Sequence, residues 1–288
     1  MAFHLARLGD AGHERPYALL DGSAFPIDSL TTDIDGAFLA ADGVERARAA
    51  VTSGRIPSSG DFGSLGLRIG APVAGVGKVV CIGLNYRDHA AETGAALPTE
   101  PVIFLKDPGT VVGPHDDVRI PRGSVKTDWE VELAVVIGKT ARYLDDEESA
   151  LESVAGYAVA NDVSEREFQL ERGGQWDKGK SCETFNPLGP WLVPAADVDE
   201  PQSLGLRLWM NGELKQDGNT RDMVFGVATI VRYVSHFMVL RPGDVINTGT
   251  PAGVALGQPE PKPYLRPGDV IELEIDGLGR QRQRLVQA

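Results

Sequence analysis

Two glutamates separated by one residue form the strongest chemical signal in the sequence. They belong to Asp128-Trp129-Glu130-Val131-Glu132, and the residues that follow are apolar at both alternating sets of positions. In a strand, Glu130 and Glu132 would project from one face with Cα atoms roughly 7 Å apart. Glu-x-Glu alone is usually a solvated strand face, but carboxylates entering a buried strand need a cation or proton. Asp162 ends another apolar run, and three such carboxylates favour Mg2+ or Mn2+.

A histidine and a glutamate three residues apart, His89 and Glu92, indicate a second reactive group. Positions three apart share one face of a helix, so the carboxylate can orient the imidazole. Such a pair suits a general base that activates water. The spacing alone is more often that of an incidental ion pair on a surface helix.

The segment from Gly174 to Ser181 satisfies the pattern of a nucleotide-binding P-loop. A true P-loop follows a buried strand and opens a helix, whereas the preceding segment here is polar and the following one contains two prolines. We therefore do not expect nucleotide binding. Lys180 remains on a glycine-rich loop, and Arg166 and Gln169 lie one helical turn apart before it, so these three residues are candidates for binding an anionic substrate.

The remaining motifs exclude some nucleophilic mechanisms. Asn247-Thr-Gly-Thr-Pro251 is either a simple turn or a carboxylate-binding loop in which Thr250 participates. No Gly-x-Ser-x-Gly elbow occurs, and neither Cys81 nor Cys182 has an adjacent histidine. Two distant cysteines favour reduced thiols in a cytosolic protein.

Composition limits the partners. The formal net charge of −13 opposes binding to nucleic acid or to an anionic membrane. The N-terminus has no signal-peptide core, and no apolar run approaches the ~18 residues of a membrane span. We therefore expect a cytoplasmic protein without nucleic-acid or membrane partners.

Glycines and prolines spread between short apolar runs predict a β-rich α+β fold. The stretch 53–66 holds nine Gly, Ser or Pro among fourteen residues, so we predict a small N-terminal domain at 1–70 and a catalytic domain at 71–288. Predicted helices cover 45–51, 86–93 with Asn85 as cap, 147–154, 165–172 with Ser164 as cap, and 225–240 with Phe237 on its apolar stripe.

Six motifs resemble the fumarylacetoacetate hydrolase superfamily, in order over about residues 75–275. They are GLNYRDHAAE at 83–92, PVIFLK at 101–106, DWEVELAVVIG at 128–138, NDVSEREFQ at 161–169, GKSCETFNPLGPW at 179–191 and NTGTPAGV at 247–254. The resemblance implies a mixed β-sandwich roll, usually a homodimer. It implies Mg2+ or Mn2+ on Glu130, Glu132 and Asp162, and a lid helix carrying His89 and Glu92.

The same resemblance assigns roles in substrate binding. It makes Lys180 a catalytic or oxyanion-stabilising residue, and Lys106, Arg166, Gln169 and Thr250 substrate contacts. The implied activity is hydrolysis of a C–C bond in a small 2,4-diketo acid, releasing pyruvate. The motif wording is most similar to 2,4-diketo-3-deoxy-fuconate or -rhamnonate hydrolases. Alternatives are an isomerase of the hydroxyheptadienedioate type, an oxaloacetate-type decarboxylase and a ureidoglycolate lyase.

Overall fold

Strands dominate the computed structural model of the protein, which describes residues 2–288. In chain order they are β1 (Phe3–Leu8), β2 (Arg15–Leu20), β3 (Ser23–Pro26), β4 (Gly60–Asp61), β5 (Val79–Gly83), β6 (Val102–Lys106), β7 (Val111–Val112), β8 (Val118–Ile120), β9 (Thr127–Asp128), β10 (Val131–Ile137), β11 (Val154–Asn161), β12 (Ser164–Glu165), β13 (Asn186–Pro194), β14 (Gly205–Met210), β15 (Glu213–Asn219), β16 (Val245–Asn247), β17 (Val270–Ile275) and β18 (Gly279–Gln287).

The helices are short and lie between the strands. They are α1 (Gly36–Ala40), α2 (Gly43–Thr52), α3 (Arg87–Thr93), α4 (Glu147–Glu152), α5 (Asp177–Lys180) and α6 (Val227–Ser235). A π-helix spans Glu167–Glu171, and a 3₁₀ turn spans Ala255–Gly257. Among the described residues, no helix has the length and apolar character that a membrane span requires.

The strands form two large sheets. The larger has the order β4-β3-β2-β1-β13-β11-β10-β16-β5-β6, with β7 also paired to β13. The smaller has the order β15-β14-β17-β18-β8, and β9 pairs separately with β12. This mixed, strand-rich arrangement confirms the predicted fold class.

The central strand β10 packs in two cores because its side chains alternate between the faces of the sheet. Val131, Leu133 and Val135 belong to the core shared with β14, β17 and α6. Ala134 and Val136 belong to a second core shared with α1, α2 and the N-terminal strands. Both faces are therefore covered, which explains why β10 is apolar at every position after Glu132.

The N-terminal strands continue the larger sheet, because β1 pairs antiparallel with β13 through Leu5 and Leu192. Part of the Gly/Ser/Pro-rich stretch also belongs to the sheet, since β4 pairs with β3. The division of the chain at residue 70 stays a prediction.

Three local predictions differ from the structure. The helix predicted at 165–172 is present over Glu167–Glu171, but it is a π-helix and Ser164 does not cap it. Ser164 and Glu165 pair with β9 instead, and the Ser164 hydroxyl donates to the carbonyl of Asp162. Asn85 does not cap α3. Its side-chain amide donates to the carbonyl oxygens of Thr248 and Phe225, so it ties three loops together.

The third error concerns the length of α6. Predicted at 225–240, this helix ends at Ser235, because Leu240 pairs as a β-bridge with Ala141. Phe237 lies beyond the helix and is 63% exposed rather than on the buried stripe.

Candidate active site and metal centre

Two adjacent strands bring the three predicted metal ligands together. In the antiparallel register of β10 and β11, Glu132 lies opposite Ala160, and Val131 lies opposite Asn161. Glu130 immediately precedes β10 and Asp162 immediately follows β11, and the main-chain nitrogen of Asp162 donates to the carbonyl of Glu130 at 2.9 Å. One carboxylate oxygen from each of Glu130, Glu132 and Asp162 lies within 4.8 Å of the others, and all three residues are buried.

Two lysines neutralise part of this acidic cluster. Nζ of Lys180 donates to Oε2 of Glu130 at 2.7 Å and to Oδ2 of Asp162 at 2.9 Å. Nζ of Lys106 donates to the other oxygen of Asp162 and to the carbonyl of Val163. Asp162 is therefore held from both sides by buried ammonium groups.

An arginine links the cluster to a fourth buried carboxylate. Nε of Arg166 donates to Oδ2 of Asp128 at 2.8 Å, and Nη1 donates to Oε1 of Gln169 at 3.0 Å. Nη2 lies 2.7 Å from Oε1 of Glu130 and forms a salt bridge with it. The guanidinium therefore binds two buried carboxylates, those of Asp128 and Glu130.

Glu132 differs from its neighbours because no lysine, arginine or histidine of residues 2–288 forms a salt bridge with it. Its Oε2 accepts one hydrogen bond, from the main-chain nitrogen of Gly249 at 2.7 Å. Burial, followed by repulsion from Asp162 and Glu130, raises the pKa of Glu132 well above its usual range. A divalent cation would remove this penalty, so the donor set fits Mg2+ or Mn2+.

Glu130 and the neighbouring Lys180 remain charged. Burial opposes ionisation of Glu130, but the charges of Lys180 and Arg166 lower its pKa to about 2. Burial likewise favours neutral Lys180, yet Asp162 and Glu130 raise its pKa above the usual lysine value. Lys180 is therefore a cation in this state and a donor, rather than a base.

The predicted histidine–glutamate pair is formed on α3. Nδ1 of His89 lies 2.8 Å from Oε1 of Glu92, which leaves Nε2 as the free ring nitrogen. Oε2 of Glu92 accepts a hydrogen bond from the main-chain nitrogen of Gly253 at 3.0 Å. The pair is therefore oriented by the loop that precedes the 3₁₀ turn Ala255–Gly257.

A cavity of about 270 Å³ joins the base to the acidic cluster. Its polar lining includes the predicted residues His89, Glu130, Glu132, Arg166, Gln169, Lys180 and Thr250. The Thr250 hydroxyl already donates to the carbonyl of Val131 and accepts from Gln216, so it is fixed in place.

Lys106 is the exception among the predicted substrate contacts. It is 2% exposed and does not line this cavity, because its ammonium is directed to Asp162 and Val163. The geometry supports a role in fixing Asp162 instead of direct substrate contact.

Sequence reasoning missed several residues of the site. Asp128 belongs to the quoted motif but received no role, although it accepts hydrogen bonds from Arg166 and from the main-chain nitrogens of Ala255 and Leu256. Asp128 lies two residues before Glu130, and this spacing could have indicated that the two side chains share one strand face. Four apolar residues that line the cavity had no recognisable pattern, namely Phe104, Leu170, Trp176 and Leu256.

The P-loop alternative does not fit the structure. The segment before it is a π-helix and not a strand, and α5 has four residues. Lys180, which would bind phosphate in a P-loop, is buried between two carboxylates.

Comparison with known proteins agrees with this geometry. Residues 78–286 match the family model described as fumarylacetoacetate (FAA) hydrolase, C-terminal. A Burkholderia multivorans protein named "Putative hydrolase" is 51% identical over 280 residues, covering 97% of each chain. Among solved structures, the fumarylacetoacetate hydrolase of Exiguobacterium antarcticum is 34% identical with a TM-score of 0.86 over 100% of each chain.

Two further solved structures carry different activities in their names. The 2-hydroxyhepta-2,4-diene-1,7-dioate isomerase of Mycobacterium marinum is 31% identical, with a TM-score of 0.76 over 99% of each chain. The maleylpyruvate hydrolase of Sphingobium sp. SYK-6, in complex with manganese(II) and pyruvate, is 28% identical, with a TM-score of 0.79 over 99% of each chain. On its motifs, its fold and these matches, the chain belongs to the fumarylacetoacetate hydrolase family.

Proposed function

We propose that the protein is a Mg2+- or Mn2+-dependent hydrolase that cleaves a C–C bond in a small 2,4-diketo acid and releases pyruvate. The observation that carries this proposal is one cavity lined by two carboxylates of the buried cluster, by Lys180 and by His89, whose ring is oriented by Glu92. The similar maleylpyruvate hydrolase, described with manganese(II) and pyruvate, supports it.

The charges of the site suit an anionic substrate. The contacting groups are four carboxylates and three cations, which gives a formal charge of −1: Asp128, Glu130, Glu132, Asp162, Lys106, Arg166 and Lys180. A divalent cation changes this charge to +1. A 2-keto carboxylate of charge −1 would then neutralise the site, in which desolvation makes unpaired charge costly.

When bound on Glu130, Glu132 and Asp162, the metal would act as a Lewis acid toward the carboxylate and 2-keto oxygens of the substrate. Lys180 and Arg166 supply cationic donors beside that end of the cavity. The amide nitrogen of Gln169, which makes no hydrogen bond within residues 2–288, is a further donor. These groups hold the substrate and stabilise oxygen atoms on which negative charge develops.

The His89–Glu92 pair supplies the base. Nε2 of His89 takes a proton from a water molecule, while Glu92 stabilises the imidazolium through Nδ1. The hydroxide adds to the C4 carbonyl, the C3–C4 bond breaks with its electron pair on C3, and C3 takes up the proton that His89 holds, so that pyruvate leaves and the imidazole is again neutral. The acyl portion leaves as a carboxylic acid.

Candidate substrates are 2,4-diketo-3-deoxy-fuconate and -rhamnonate, because the chain's motifs resemble those of the hydrolases that act on them. The test is pyruvate release from a panel of 2,4-diketo acids by metal-stripped protein supplied with Mg2+ or Mn2+. We expect metal-dependent release from at least one compound and loss of release with EDTA. No pyruvate from any compound at full metal content would refute the proposed reaction.

A second candidate is isomerisation of a related unsaturated 2-keto acid, favoured by the similarity to the Mycobacterium marinum isomerase. The same donors would serve if no water lay next to the substrate. An isomerase would shift the ultraviolet spectrum of its substrate without forming pyruvate. Decarboxylase activity would release CO2, and ureidoglycolate lyase activity would release urea, so the assays separate all four outcomes.

A further inference from the structure

The cavity is lined by both polar and apolar side chains. The polar lining includes Glu130, Glu132, Lys180 and Arg166, and the apolar lining includes Phe104, Leu170, Trp176 and Leu256, here called the apolar wall. If the keto-carboxylate end of a substrate lies at the cationic donors, the tail must lie along the apolar wall. This step rests on the proposed function.

Trp176 packs against two other residues of the cavity lining. Its ring meets that of Phe104 edge-on, with centroids 5.4 Å apart and an interplanar angle of 69°. On its other side it packs against the backbone of Gly83, where an added Cβ would lie 2.6 Å from the indole ring. The absence of a side chain at Gly83 therefore makes space for the indole ring.

Phe104 connects this indole with the catalytic cluster. Nζ of Lys180 lies 5.1 Å from the centroid of the Phe104 ring, within the range of a cation–π contact. The apolar wall thus begins directly beside the predicted oxyanion-stabilising group.

Hydroxyl groups on the tail would find few partners. Of the hydroxyl side chains in the lining, Thr250 is bonded to Val131, and Thr93 donates to the carbonyl of His89. The amide nitrogen of Gln169 is one available donor, which the keto-acid end also needs.

We propose that Trp176 is the specificity-determining residue of this site, selecting short hydrocarbon tails and rejecting tails that carry several hydroxyl groups. The inference therefore favours simple acylpyruvates over 2,4-diketo-3-deoxy sugar acids. An apolar pocket rejects an added hydroxyl by about 100-fold, because the hydroxyl loses its hydrogen bonds to water.

The test uses two 2-keto acids that lack the 4-keto group, so binding is measured without C–C hydrolysis. 2-Oxohexanoate and its 5,6-dihydroxy derivative are titrated into the Mn2+-loaded protein by calorimetry and by tryptophan fluorescence. We expect the hydrocarbon compound to bind about 100-fold more tightly, with fluorescence quenching that disappears in Trp176→Leu. Equal affinities within about threefold, or no binding of either compound, would overturn the inference.

Two variants separate polarity from size. Trp176→Leu keeps an apolar surface, so it should retain the preference against hydroxyls while accepting longer tails. Trp176→Gln should reduce that preference by at least about tenfold, since the amide can pair with a hydroxyl. Trp209→Gln, a tryptophan on β14 outside the cavity lining, is the control and should leave both affinities unchanged. An unchanged preference in a folded Trp176→Gln protein would show that the indole does not set specificity.

Turnover then distinguishes this inference from the proposed function. Hydrocarbon selectivity without pyruvate release from any acylpyruvate would refute the hydrolase assignment alone. Pyruvate release at equal kcat/KM from acylpyruvates and hydroxylated diketo acids would refute the selectivity alone.

Discussion

Glu92 and Gly253 are joined by a hydrogen bond of 3.0 Å from the main-chain nitrogen of Gly253 to Oε2 of the carboxylate. The other oxygen of Glu92 holds Nδ1 of His89. One carboxylate therefore connects helix α3 to the loop at 253 and also fixes the imidazole. If α3 moves as a lid, either the hydrogen bond between Gly253 and Glu92 must break or the loop at 253 must move together with the helix.

Gly257→Ala should disturb the base without touching the metal ligands. A Cβ at position 257 would lie 2.4 Å from Oε2 and 2.5 Å from Cδ of Glu92, so the carboxylate must shift. Because small displacements of catalytic groups lower the rate strongly, we expect kcat to fall by about 10- to 100-fold. Gly63→Ala, whose Cβ would come no closer than 3.4 Å to Asp61, is the matched control. Wild-type kcat in Gly257→Ala would show that this loop does not position the base.

His89→Ala should slow pyruvate release by about 100- to 10,000-fold, the usual contribution of a positioned general base. Metal content should be unchanged, because neither His89 nor Glu92 belongs to the carboxylate cluster. Glu92→Gln should be milder if its carboxylate only orients the ring. Metal content and pyruvate release must be measured on one preparation, and wild-type release with intact metal would place the base elsewhere.

Glu132→Ala should abolish stoichiometric binding of Mn2+. Glu132 is the cluster carboxylate without a basic partner among residues 2–288, so its ionised form depends most on the metal. Mn2+ should raise the Tm of the wild-type protein through binding to the folded state, but not that of the variant. Glu213→Ala, at a glutamate whose side chain is 73% exposed, is the control. Retained stoichiometric Mn2+ in Glu132→Ala would contradict the ligand assignment.

The two cysteines should react slowly in the folded protein. Burial raises the pKa of the Cys182 thiol to about 11, and it also raises the pKa of the Cys81 thiol well above its usual value. At pH 8 the thiolate fraction of Cys182 is then on the order of 0.1%, and labelling should accelerate about tenfold per pH unit up to the pKa. Labelling by a disulfide reagent, with Cys182→Ser as control, measures this. Rapid native labelling of both thiols at pH 8 would show that burial does not suppress them.

The sequence predicted the acidic cluster because strand periodicity acts over two residues and needs no tertiary information. The prediction that Glu130 and Glu132 share one face was correct. Asp162 was predicted as the third ligand because it follows a second apolar strand. The helix pair at His89 and Glu92 followed from equally local geometry. Such spacing rules succeed where the backbone alone decides which side chains meet.

Other features depend on contacts distant in the chain. Lys106 meets Asp162 across 56 residues, so its burial had no local signature. The pairing of β12 with β9 makes Ser164 and Glu165 part of a strand, so the predicted cap and first residue of the helix are not helical. Trp176 reaches the cavity from the segment that matched a P-loop, and no periodicity marks it as a wall residue. Tertiary pairing, and not propensity, decided these positions.

Lys180→Met should remove most turnover and also destabilise the metal-free protein. The ammonium lies between Glu130 and Asp162, and removing one partner of a buried ion pair leaves uncompensated charge that typically costs ~3–5 kcal/mol. A divalent cation supplies the missing positive charge, so Mn2+ should restore most of the lost Tm but not the kcat. Lys178→Met, at the neighbouring lysine whose ammonium donates to the carbonyl of Arg172, is the control for general effects on α5.

ATP should not change the Tm of either the wild-type or the Lys180→Met protein, because acidic groups surround the ammonium that a nucleotide would need. Saturable ATP binding that Lys180→Met removes, with pyruvate release unaffected, would instead assign this lysine to phosphate recognition.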